Sequence, residues 1–172
     1  QAEHYPGAAI LVTDSERVAG AVAAELERQV AGLDRRDETA ECLLKYSGIV
    51  AVGSMDKAVE LVNEFAAEHL EVVCGERSED VAERIENAGA IFLGGYSPVA
   101  VGDYRAEPSH TLPTRQSSRY FSALTSNDFV KSSSIIKYDA ARLRAEAEGI
   151  MQLAMVEGLD AHAKSVWMRL ES

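Results

Sequence analysis

As far as Leu93, short continuous apolar runs alternate with longer stretches in which apolar residues return every three or four positions. Ala8-Ala9-Ile10-Leu11-Val12-Thr13, Gly48 to Val52, Leu70 to Cys74 and Ala90 to Leu93 are runs of strand length. Between the first two, Asp14-Ser15 caps a helix predicted from Glu16 to about Gly32, with Val18, Val22, Leu26 and Val30 on one face. A shorter helix is expected over Asp37 to Tyr46. Ser54 caps another, from Met55 to about Ala67, whose inward stripe is Ala58, Leu61, Val62 and Phe65. Ser78 opens an acidic helix that should run to Gly89. Strands that read as unbroken apolar runs belong to sheets covered on both faces. The pattern therefore predicts an α/β fold: a mainly parallel sheet with helices on both faces, an incomplete Rossmann-like arrangement. Such sheets place their sites at the carboxyl ends of the strands. The chain has no Gly-x-Gly-x-x-Gly and no phosphate loop, so no nucleotide site is evident in this unit.

From Gly94 to about Ser126 the pattern gives way to a polar stretch rich in Gly, Pro, Ser and Thr. Tyr96, Val99, Val101, Tyr104, Leu112, Tyr120 and Phe121 within it favour an ordered, functional loop. Ile135 to Tyr138 reads as a last strand. Two helices follow, Ala140 to about Glu157 and Ala161 to Leu170, joined at Gly158. The expected division is an α/β domain with catalytic loops over 1–138 and a helical tail over 139–172. Leu143, Ile150, Leu153, Ala154, Val166 and Leu170 give that tail an apolar side that needs a surface to cover.

Lys and Arg number 17 against 28 Asp and Glu, a net charge of −11, which argues against nucleic acid or an anionic membrane as partner. No apolar run approaches the roughly 18 residues of a membrane span, and no signal peptide precedes the first strand. Cys42 and Cys74 stand in apolar surroundings, in neither metal-type nor redox-type spacing, so buried free thiols in a reducing compartment are expected in preference to a disulfide. The chain begins with Gln1 rather than Met, as a processed chain or a piece of a longer one would.

Candidate chemistry concentrates in Ala66-Ala67-Glu68-His69-Leu70-Glu71, where the helical pattern runs into a strand. A carboxylate and an imidazole side by side there can exchange protons with a substrate in a pocket above the sheet. Each of the four histidines, His4, His69, His110 and His162, stands near another polar group. Any one alone reads as a solvated or hydrogen-bonded side chain. Gln1 with His4, Asp103 and a histidine in a terminal helix offer the oxygen and nitrogen ligands that suit zinc.

Six segments, in order, carry a family resemblance: Gln1-Ala2-Glu3-His4, Ala67-Glu68-His69-Leu70, Ala88 to Gly94, Val101-Gly102-Asp103-Tyr104, His110-Thr111-Leu112-Pro113-Thr114 and Glu157 to His162. The chain resembles histidinol dehydrogenase over nearly its whole length. The resemblance implies a zinc enzyme that oxidises L-histidinol to L-histidine through the aldehyde with two NAD+, in histidine biosynthesis. By matched motif it implies Gln1, His4, Asp103 and His162 as zinc ligands and substrate contacts. Glu68 and His69 would be the catalytic acid and base, with His69 also touching substrate, and His110 and Glu157 would be further substrate contacts. It implies a homodimer whose tails cross to the partner, and NAD contacts mainly in an amino-terminal half outside this sequence, so no cofactor-binding residue is assigned here. The family's loop usually reads Gly-Pro-Asn-His before Leu-Pro-Thr and Gly-Gly-Thr-Ala-Arg-Phe after it. This chain has Glu107-Pro108-Ser109-His110 and Arg115-Gln116-Ser117-Ser118-Arg119-Tyr120 instead. Two other readings are a related dehydrogenase of another small polar alcohol and a non-catalytic domain that binds zinc or a partner chain.

Overall fold

The computed structural model describes residues 1–106 and 108–171. Glu107, the first residue of the divergent loop, lies outside them. The chain divides into two compact units, Gln1–Phe129 and Val130–Ser172.

In the first unit, β1 (Ile10–Thr13) pairs in parallel with β2 (Gly48–Ala51), Ile10 opposite Gly48 and Thr13 opposite Ala51. The crossover between them is α1 (Glu16–Val30) followed by α2 (Arg36–Lys45). The Ser15 side chain accepts the Val18 N–H and starts α1, as Ser54 does from Lys57 for α3 (Met55–Phe65). Ser47 fastens the end of α2 to the entry of β1, donating to the Cys42 carbonyl at 3.2 Å and accepting the Ala9 N–H at 3.0 Å. Cys42 is wholly buried and Cys74 half-buried, and both are free thiols.

The second parallel pair is β3 (Ala67–Val72) with β4 (Ala88–Leu93). The parallel α/β alternation is present, but as two two-stranded sheets. Strands read as buried on both faces are consequently half open: Ile10, Ile49 and Val50 are exposed, and an apolar groove of about 680 Å³ runs between β1–β2, α1 and α2. A compact core forms under β3, where Val59 of α3, Val72 of β3 and Val81 meet, with Met55, Leu70, Cys74 and Ile85 packed around them.

Several element boundaries differ from the sequence pattern. Helix α3 stops at Phe65 because Ala66 turns left-handed (φ 52°), and β3 begins at the next residue. Glu68 and His69 therefore lie inside a strand, not at a helix end. They occupy its amino-terminal half, not the carboxyl ends where the site was expected. The acidic helix α4 spans only Ser78–Ala82. Asn63 of α3 ends it: its side-chain oxygen accepts the Glu86 and Asn87 N–H groups at 2.7 and 3.3 Å, and its amide donates to the Arg84 carbonyl at 3.0 Å. The polar stretch after Gly94 contains a helix, α5 (Val99–Tyr104), and short 3-10 turns at Ser117–Arg119 and Ser126–Phe129.

The second unit holds no strand at Ile135 to Tyr138; that segment is irregular, with Ile135 and Ile136 almost fully exposed. A strand needs a ladder partner, and among the described residues the regular structure of this unit is helical. Its helices are α6 (Ala140–Val156), capped by the Asp139 carboxylate on the Arg142 N–H at 2.8 Å, and α7 (Asp160–Leu170). Gly158 supplies the positive φ of the turn between them. Ala147, Ala154 and Ala163 are buried where the two helices meet.

Candidate functional site

Register decides what faces what on the β3–β4 ribbon. His69 lies opposite Ala90 and Glu71 opposite Phe92, so side-chain alternation puts His69, Glu71 and Phe92 on one face. Leu70 and Val72 point the other way, into the core formed with α3 and α4. Glu68 also leaves the strand on that other side. The backbones come close at this point: a Cβ on Gly89 would stand 2.6 Å from the Glu68 carbonyl oxygen and 3.2 Å from Cδ of Pro113.

Helix α5 covers the His69 face. Its first N–H, on Val99, donates to Oε1 of Glu71 at 2.9 Å. At Gly102 the helix lies so close to the ribbon that a Cβ would come within 2.8 Å of the Phe92 ring. The next residue, Asp103, is thereby brought over His69.

Four titratable side chains converge there. Oδ1 of Asp103 is 3.9 Å from Nε2 of His69 and 3.9 Å from Nδ1 of His110. On its other side, Nδ1 of His69 is 3.9 Å from Oε1 of Glu68. These separations lie within ion-pair range but are too long for hydrogen bonds. The His69 side chain is only 14% exposed, its ring tilted 30° to that of Phe92 with centroids 6.1 Å apart. Its Nδ1 is buried and makes no hydrogen bond among the described residues. Buried polar atoms are normally satisfied; beside this one stands the Glu68 carboxylate, while the Asp103 carboxylate faces the other ring nitrogen.

His110, which is exposed, arrives on the loop after α5. That loop closes on itself once and is fastened to the α3–β3 junction twice. Leu124 N–H donates to the Thr111 carbonyl at 3.0 Å, the Ser118 hydroxyl to the Ala66 carbonyl at 3.0 Å, and the Arg119 guanidinium to the Glu64 carbonyl. Arg115 and Gln116 both adopt positive φ, 52° and 65°.

Of the residues singled out from sequence, the fold gathers Glu68, His69, Asp103 and His110. Gln1 and His4 are exposed in an amino-terminal turn, where the His4 N–H donates to the Gln1 carbonyl at 3.3 Å. Glu157 and His162 are exposed in the second unit, at the end of α6 and in the first turn of α7. The donor types suit zinc. Even so, among the described residues no group of three or more His, Cys, Asp and Glu side chains is gathered to hold a metal. Sequence reasoning passed over Glu71 and Phe92. The signal was available, since Glu71 follows His69 by two residues on a strand and so shares its face.

Fold and site together define a parallel α/β unit carrying a carboxylate–imidazole cluster. Comparison with known proteins narrows this class. The histidinol dehydrogenase family profile matches residues 1–170. Histidinol dehydrogenase of Synechococcus sp. is 46% identical, covering 100% of this chain and 40% of the relative. That of Oleidesulfovibrio alaskensis is 48% identical over 99% of this chain and 39% of its own length. The crystal structure of histidinol dehydrogenase from Elizabethkingia anophelis superposes with a TM-score of 0.91 at 32% identity, over 99% of this chain and 39% of that one. The chain belongs to the histidinol dehydrogenase family. It spans about 40% of the length of the curated relatives it matches.

Proposed function

We propose that this chain forms the acid–base part of an enzyme that oxidises L-histidinol to L-histidine through the aldehyde, with NAD as hydride acceptor, in histidine biosynthesis in the cytoplasm. The observation that carries this reading is the convergence of Glu68, His69, Asp103 and His110, in a chain of this family. Among the described residues no helix is long and apolar enough to cross a membrane.

Oxidising an alcohol requires a base for the hydroxyl proton as hydride leaves, and the second oxidation needs a water activated toward the aldehyde carbon. His69, held between Glu68 and Asp103, is suited to take the hydroxyl proton; Glu68 is suited to draw the proton from that water. His110 and Glu157 contact the substrate. Gln1, His4, Asp103 and His162 would hold zinc, with His162 supplied by the tail of a second copy in a homodimer, and the ion would supply a Lewis acid that orients the substrate. NAD contacts come from the part of the relatives' length that this chain does not span.

The test is NAD reduction with histidinol, on this chain alone and on the chain extended to the relatives' length with a relative's amino-terminal half. Turnover by the extended protein is the expected result. A second reading, oxidation of another small polar alcohol, is favoured by the Ser109 and Arg115–Tyr120 departures beside His110. It predicts turnover of other amino alcohols over histidinol. Zinc binding without turnover of any alcohol would leave a non-catalytic binding domain.

A further inference from the structure

We propose that Glu71 is a positioning residue for this site, a role that rests on the function proposed above. Its carboxylate fixes the start of α5 and so sets where Asp103 stands over His69. Three observations converge on this. Oε1 of Glu71 accepts the Val99 N–H at 2.9 Å, and this is the first N–H of α5. Pro98, the residue before it, makes no side-chain cap, so the carboxylate on the neighbouring strand does that work. Glu71 also stands two residues beyond His69 on the same face, opposite Phe92, the ring against which Gly102 packs. The carboxylate anchors one end of a six-residue helix and the Gly102–Phe92 approach seats the other, with Asp103 following directly.

A helix this short has little stability of its own, so its location follows its anchors. Releasing Val99 lets the amino-terminal turn swing from the ribbon, and Asp103 moves with it. A displacement near 1 Å of a group that must sit between two imidazoles is enough to cost turnover.

The test compares Glu71→Ala with Glu71→Gln, which keeps the accepting oxygen. Hydrogen exchange is read at the amides of residues 99–104 in the chain itself, and histidinol turnover in the protein extended to the relatives' length. Glu71→Ala should speed exchange in α5 by about fivefold or more, the population shift that loss of a helix cap brings. It should lower kcat/KM by a similar factor, while Glu71→Gln stays near the parent. Urea unfolding separates a local from a global effect: Glu71→Ala should keep a midpoint near the parent's while exchange in α5 quickens. A fallen midpoint with exchange quickened throughout the chain would mean general destabilisation and overturn the proposal. So would α5 exchange that ignores Glu71→Ala, or a Gln variant as impaired as the Ala variant. If exchange responds as expected but the parent oxidises no histidinol, the proposed function fails while the anchoring of α5 by Glu71 stands.

Discussion

At the residue scale, adjacency on a strand separates Glu68 and His69 instead of pairing them. Alternation sends their side chains to opposite faces, and contact is restored only around the ring, at 3.9 Å between Oε1 and Nδ1. Each can thus meet a different reacting atom, as the two oxidations proposed above would require. In the protein of full relatives' length, His69→Asn should lower kcat by about 10²–10⁴, the usual range for a positioned acid or base. Glu68→Gln should lower it by less, and neither should change zinc content or KM much. Steady-state kinetics with metal analysis reads this; near-normal turnover of both variants would make the stretch structural. A second residue-scale effect sits in the loop, where Arg115 and Gln116 carry positive φ at positions the family usually gives to Gly-Gly. Left-handed backbone costs a side-chain-bearing residue about 1 kcal/mol, partly offset by the extra freedom glycine brings to the unfolded chain. Gln116→Gly should raise stability by about 0.5 kcal/mol in denaturant titration. A loss of stability there would contradict the strained geometry.

At the element scale, the site is a ribbon with a helix laid on it, and two glycines allow the fit. Gly89 lets β4 and the Pro113 turn close on Glu68; Gly102 lets α5 sit on Phe92. The two positions should respond differently. At Gly102 the obstacle is the far end of a ring that can swing aside, whereas at Gly89 it is a backbone carbonyl fixed in a ladder. Gly89→Ala should therefore destabilise the chain by roughly 1–3 kcal/mol, the range for overpacking a rigid site. Urea unfolding with an unchanged slope and a lowered midpoint is the expected signature; an unchanged midpoint would show that the strands have room to part. Gly102→Ala should cost less and act mainly through turnover.

At the scale of the whole molecule, the proposed zinc donors are spread over an amino-terminal turn, α5 and the second unit. Metal analysis of the purified protein should find zinc lost in Asp103→Ala, since an N/O site of four ligands loses geometry as well as charge when one goes. Unchanged stoichiometric zinc would reject Asp103 as a ligand. The crossed tail has its own test. His4→Ala and His162→Ala proteins of the relatives' full length, each inactive alone, are mixed and allowed to exchange subunits. With crossed tails one site of each mixed dimer collects both defects and the other is intact, so activity should return toward about half per mixed dimer. No recovery despite proven exchange would mean that each tail serves its own chain.

The helix–strand alternation, the caps at Ser15 and Ser54 and the paired helices of the tail were legible in the chain, because each follows from local periodicity or local hydrogen bonding. The six ordered motifs carried the family by chemistry that residue types alone express. What the sequence left open depended on partners distant along the chain. The helical pattern running through Ala66 and Ala67 is overridden because β4 offers a ladder to Ala67–Val72, and a backbone pairing outweighs the small helical preference of two alanines. The acidic helix after Ser78 is cut short by Asn63, which lies 23 residues before the Glu86 amide it accepts. Ile135 to Tyr138 has strand composition but no partner strand, and so forms none. Only the tertiary structure could join Glu71 to Val99 across 28 residues and bring Asp103 over His69, since a side-chain contact between two elements is set by how they pack and not by the sequence of either.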